Sequence, residues 1–131
     1  MEYKVIIDGV AELSDEILEV KFVSKIPESS NARSSDIVVF LTIKGRISFM
    51  ESKTLMKDNM KNIAEWSLVR PSLVNSYKKV TLEYIHAGAP RKYEIPQAFL
   101  ISYTENFGRT DGTFELVLKQ KEDYVDDVTI A

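Results

Sequence analysis

A mainly β fold with a single helix is what this sequence predicts, and three observations carry that expectation. Two short turns, Ala87-Gly88-Ala89-Pro90 and Thr110-Asp111-Gly112, separate runs rich in Val, Ile, Leu, Tyr and Phe. Asp-Gly between apolar runs is a strong hairpin signal, because Gly accepts the positive φ of a tight turn. Further upstream, residues 17–23 alternate apolar with charged, as a half-buried strand does. Only one stretch, Ser52 to Leu68, has convincing helical spacing. The expected architecture is a small antiparallel β-barrel, or two packed sheets, with the helix against its side. One domain over residues 1–131 is the default for this length.

The elements follow in order. Tyr3 to Ile7 is a short apolar strand closed by Asp8-Gly9. In the next strand Leu18, Val20 and Phe22 fall on one face, with Glu19 and Lys21 on the other. Pro27 to Asp36 is polar, small and without period, so it reads as a long loop. Structureless loops of this length are uncommon and are often functional or disordered. Ile37 to Ile43 is apolar on both faces, with Ile37, Val39 and Leu41 on one and Val38 and Phe40 on the other. Such a strand wants cover on both sides, from the helix of its own chain or from a neighbour. Gly45 marks a bulge or bend before Arg46 to Met50 continues the strand.

Ser52 suits the helix N-cap, and Met56, Met60 and Ile63 form its apolar stripe with Leu55 and Ala64 at the edges. Arg70-Pro71 ends it, because proline disfavours helix in the residue before it. Lys79 to Ile85 and Tyr93 to Tyr103 form one hairpin, and Thr113 to Gln120 closes a second. Pro96 cannot donate to a ladder and should sit at a bulge or a free edge. The expected count is six or seven strands and one helix.

Composition narrows the function classes. Apolar residues make up 44% and charged residues 28% of the chain, the ordinary balance of a globular domain. A net charge of −3 gives no general attraction to nucleic acid or anionic membrane. The absence of cysteine excludes disulfides, thiolate metal sites and a cysteine nucleophile. No apolar run approaches the roughly 18 residues that span a bilayer, and the first residues lack a signal-peptide pattern. Synthesis in the cytoplasm is expected, with any exit independent of a cleaved signal.

Chemistry-bearing patterns are sparse. His86 is the sole histidine, beside a turn where a solvated loop residue is the plain reading. No HExxH, Gly-rich phosphate loop or GxSxG elbow occurs. Glu122, Asp123, Asp126 and Asp127 cluster, but without the alternate spacing and closing Glu of a calcium loop. They read as a solvated acidic end. Lys53, Lys57 and Lys61 recur every four residues along the helix. This is either a wet helix face or a basic stripe meeting acidic residues of an adjacent subunit. The aromatic residues are spread over strands with little interleaved Lys or Arg, which favours packing over a nucleic-acid surface. No catalytic residue, metal ligand or cofactor site is expected, and an enzyme is the least favoured class.

The order of elements resembles the tail-tube fold. That fold is shared by the haemolysin-coregulated proteins (Hcp) of type VI secretion, phage tail tubes and the tubes of contractile injection particles. The pieces are the N-terminal IIDG, the loop PESSNARSSD leading into IVVFLTIKG, the single mid-chain helix, and the ending from Lys78 to Lys121. The ending holds the Tyr-x-Glu-x-Phe-like stretch Tyr103-Thr104-Glu105-Asn106-Phe107. The longer, lysine-rich helix departs from the type VI pattern. The resemblance implies a non-enzymatic subunit that forms rings of six, stacked into a hollow tube. Sheath, baseplate or spike proteins would be its partners, with effector cargo in the lumen and neither nucleic acid nor a membrane segment required. A tube initiator or baseplate piece on the same fold is one alternative, and a monomeric ligand-binding β-barrel is another. The subunit interface would then draw on Ile37, Val39 and Leu41, on Phe99, Ile101 and Tyr103, on the loop residues Ser29, Asn31 and Arg33, and on Lys53, Lys57 and Lys61.

Overall fold

The computed structural model describes residues 2–25, 37–48, 54–70, 76–86, 88–121 and 128–131. Eight strands and one helix are found there: β1 Glu2–Ile7, β2 Ala11–Leu13, β3 Ile17–Lys25, β4 Val38–Ser48, α1 Thr54–Ser67, β5 Lys78–His86, β6 Ala89–Phe107, β7 Asp111–Gln120 and β8 Thr129–Ile130. Mainly β with one helix is therefore the observed class. All strand pairs are antiparallel, in the order β2-β1-β5-β6-β7-β4-β3, with β8 added to β6. Neither a closed barrel nor two separate sheets results: this is one open sheet whose end strands are β2 and β3. It curls strongly enough to bring Phe22 of β3 within 4.9 Å of the Tyr93 ring on β6, three places away in the order.

β6 explains the curl. This strand of 19 residues pairs with β5 from Ala89 to Ala98 and with β7 from Ala98 to Phe107. The hand-over is built around Pro96. The β5 register slips between Lys78 and Val80, opposite Ala98 and Ile95, so Pro96 and Gln97 face a single residue, Lys79. A ladder donor is missing at proline, and the bulge is where its absence is tolerated. The displaced backbone groups find other partners. Gln97 N–H donates to Oε1 of the buried Gln120 at 3.0 Å, and the Gln97 carbonyl accepts from Lys121 N–H at 2.8 Å. Lys79 C=O accepts from Asp8 N–H at 3.0 Å.

Two further bulges correct the facial assignments. On β3 the register shifts between Ile17 and Glu19, so Leu18 is the extra residue and is 54% exposed, while Val20 and Phe22 stay on the inner face. On β6 the shift lies between Leu100 and Ser102, and Ile101 is the extra residue. Phe99 then faces outward opposite Lys119, whereas Tyr103 faces inward opposite the buried Leu116. Phe99, Ile101 and Tyr103, each expected at a subunit interface, do not share a face as plain alternation would have it, because a bulge inserts one residue and reverses the alternation.

The inner face carries one continuous core. Val5, Leu13, Leu41, Ile43, Ile63, Val80 and Leu116 are each fully buried in it. Burying an aliphatic side chain is worth about 1.5–3 kcal/mol, so this face supplies most of the driving force. Val39 and Leu41, expected at a subunit interface, are used here, at 3% and 0% exposure. Ile37 precedes β4 and is 44% exposed. The helix closes one end of the curl. Met60, Ile63 and Trp66 are its buried apolar residues among those described, the buried Asn59 and the exposed Asn62 donate to the Glu12 and Val10 carbonyls, and Trp66 Nε1 donates to Ser76 C=O at 2.8 Å. Trp66 lay outside the expected stripe; the side chains of Leu55 and Met56 and the cap at Ser52 lie outside the described residues.

The hairpin turns divide. His86 pairs with Ala89, and Gly88 between them has φ +79, as a tight turn requires. At the second turn β6 ends at Phe107 and β7 begins at Asp111, so the loop is 108–110. Gly112 is already in the ladder opposite Phe107. Close backbone approach, not positive φ, is its requirement, since a Cβ there would overlap the Asn106 carbonyl.

Candidate assembly edges and exposed faces

Antiparallel sheets end in rows of unpaired N–H and C=O groups, and a protein must cover or blunt them. Here the β2 end is short, and α1 lies on it through Asn59 and Asn62. Two further edges are bare among the described residues. β3 pairs with β4 on one side over its full length, and no strand pairs with its other side among the described residues. Among the described residues the second half of β6 pairs with β7 alone, because β5 ends its pairing at Ala98 and β8 reaches only Tyr93 and Glu94. Each bare edge carries an exposed apolar residue at its bulge, Leu18 on β3 and Ile101 on β6, the latter 48% exposed. Phe107, at the end of β6, is 64% exposed.

Tyr103 lies behind the β6 edge. Its hydroxyl donates to Glu105 Oε1 at 2.5 Å and lies 3.8 Å from Met60 Sδ, tying the strand to the helix. Burial raises the phenol's affinity for its proton, and the hydrogen bond to Glu105 and that carboxylate's charge raise it further. The Tyr-x-Glu part of the sequence stretch is therefore a structural pair, while Phe107 is an exposed residue at the end of the strand.

At the end of the curl away from the helix, the inner face opens as an aromatic mouth. Tyr3, Val20, Phe22, Tyr84, Arg91 and Tyr93 line a groove of about 660 Å³. Tyr3 and Tyr84 have ring centroids 5.1 Å apart, and the Phe22–Tyr93 contact spans the groove. A second hollow of about 460 Å³ continues from Tyr3 along the seam between β1 and β3, past Ile17 and Leu18. The seam is where a closed barrel would have its last ladder.

The outer face holds an arrangement not expected from sequence. The Lys25 and Lys119 ammonium groups lie 5.5 and 5.9 Å from the Phe40 ring centre. Lys121 lies 5.2 Å from the Tyr77 ring, which meets Phe99 edge-on at 5.7 Å. Lysines and aromatics do interleave here, but across several separate segments of chain. Only the cross-strand register brings them together, so no local pattern could have announced it.

Of the remaining expected interface residues, Ser29, Asn31, Arg33 and Lys53 lie outside the described residues, as does the Lys57 side chain. So do the acidic residues 122–127 and the His86 side chain. Lys61 is exposed and pairs with Glu65 one helical turn on, at 3.9 Å. No described helix is long and apolar enough to cross a membrane.

No family model matches this chain, and no curated protein matches it. Among solved structures, one similar chain belongs to the "Cryo-EM structure of the anti-feeding prophage (AFP) baseplate, 6-fold symmetrised". It covers 99% of this chain and 91% of its own length, at 9% identity and a TM-score of 0.49. A likeness of that size carries no functional argument.

Proposed function

We propose that this chain is a non-enzymatic structural subunit that works by pairing its bare sheet edges with copies of itself. The observation that supports this is the pair of strand edges left uncovered by the described residues, β3 and the second half of β6, each with an apolar residue turned out at its bulge. The two edges differ, so one copy's β3 meets the next copy's β6 in a head-to-tail contact. Such contacts close into a ring when the rotation permits. The element order resembling tail tubes gives the finer proposal. Rings, six-membered in that family, stack as the tube of a contractile injection machine, with a baseplate or tube-initiating ring as the alternative on the same fold.

Light scattering of the eluting purified protein, with negative-stain images across a concentration series, tests this. Stacked rings or filaments are the expected result. Single rings that never stack favour the initiator or baseplate role. A monomer at every concentration would sink the proposal, and the aromatic mouth would then favour the ligand-binding reading, since the mouths of curled sheets are common ligand sites.

A further inference from the structure

The aromatic mouth combines four rings with a single cation. Its shape follows from the register. One row across β1, β5 and β6 is Tyr3, Tyr84 and Arg91, and the row beneath it is Val5, Leu82 and Tyr93. Leu82 is buried, so the aliphatic core floors the groove. Val20 and Phe22 of β3 add a wall. The Tyr3–Tyr84 and Phe22–Tyr93 pairs thus border one hollow of about 660 Å³, within the range of about 300–1,000 Å³ usual for small-ligand pockets. Arg91 is the one charged residue lining it. Arg91 lies opposite Tyr84 and two residues before Tyr93, so strand alternation puts its side chain on the ring-bearing face. The nearby acids are turned to the alternate face. There Glu94 meets Lys92 at 3.3 Å and Lys79 at 4.0 Å, and Glu83 lies opposite Lys92. Among the described residues the Arg91 guanidinium forms no ion pair.

We propose that the mouth binds a small, flat aromatic anion, with its ring against the two ring pairs and its acid group on Arg91. Ring walls favour a flat ring, because offset and edge contacts add to the area buried. Charge complementarity selects an anion, since the lining holds a cation and no carboxylate. The guanidinium is a planar fork that meets a carboxylate or a phosphate through two parallel hydrogen bonds. A strand-adding peptide is the poorer fit: bare backbone edges hold such a peptide, whereas side chains wall this groove. The site is complete within one copy of the chain. Edge pairing would use the backbone of β3, while Val20 and Phe22 pack on the inner face, so this site does not depend on assembly.

The test is equilibrium dialysis against four probes. 2-Naphthoate and 2-naphthyl phosphate carry ring and charge, 2-naphthylmethanol the ring alone, and cyclohexanecarboxylate the charge without a flat ring. For probes of this size in an open groove, the two aromatic anions are expected to bind at about 0.1–1 mM. Naphthylmethanol should bind about fivefold more weakly, and cyclohexanecarboxylate should be inert. The tighter of the two anions names the preferred head group, and either upholds the assignment. Arg91→Gln should weaken both anions about fivefold and leave naphthylmethanol unchanged, while Arg91→Lys retains part of the difference. Phe22→Leu should weaken all three aromatic probes alike. Arg109→Gln, which removes a cation beyond the far end of β6, should change nothing, and circular dichroism confirms that each variant is folded. No binding of either anion at millimolar concentration would overturn the proposal. So would equal binding of naphthylmethanol or cyclohexanecarboxylate, or an equal loss from Arg109→Gln. The elution profile of the same samples reads ring formation separately.

Discussion

Phe114 lies across the backbone of Gly45, and the Glu16 carbonyl, which accepts from Arg46 N–H at 2.8 Å, closes the remaining space. Gly45→Ala should therefore cost about 1–3 kcal/mol, read from the denaturant midpoint, because neither the ring nor the carbonyl can withdraw without breaking packing or the ladder. Gln120 is equally constrained. Replacing it by Leu fills the space but leaves Gln97 N–H without its acceptor, and a loss of about 1–3 kcal/mol is expected by the same measurement. Tyr103 gives a pH signature. Its phenol holds its proton more tightly in the folded chain than at the ordinary value of 10.0. Its contribution is thus complete below pH 10 and is lost as the pH rises beyond it. Tyr103→Phe should lower stability at neutral pH by about 1 kcal/mol and flatten the alkaline fall in melting temperature. At this scale the sequence was legible where a residue lacks a group, as at Pro96, and illegible where the neighbour decides, as at Gly112 and Leu18.

Periodicity exposed the long elements, because a helix stripe and a strand alternation are properties of one segment alone. It missed β2 and β8, which have three and two residues and exist only through their partners, β1 and β6. It also joined Phe99 to Tyr103 on one face, since a bulge is a relation between two strands. Under the proposed edge pairing, the element that matters most for assembly is the second half of β6. Ile101→Lys puts a charge on the bare edge without touching the core. Folding stability should change by less than about 0.5 kcal/mol, while the assembled fraction in sedimentation falls sharply. Retained assembly would move the contact elsewhere.

Openness is a property of the whole molecule, and no run of residues encodes it. Whether β3 meets β1 depends on the summed twist and on the bend of β6, so a closed barrel and an open curl share almost every local pattern. Openness has a thermodynamic mark. A subunit completed by its neighbours gains stability by mass action, so its melting temperature should rise with protein concentration. Constancy over a hundredfold dilution series would argue that the edges stay bare.

The single surplus residue at each bare margin has a consequence for growth. A straight, even strand accepts the next copy without limit and invites fibres; a kinked one accepts a partner only at a particular angle. Deleting Ile101 would let that part of β6 run straight. The shortened chain should still associate, but into irregular, open-ended aggregates in place of a closed circle. On this view the two outliers at Leu18 and Ile101 govern when polymerisation stops.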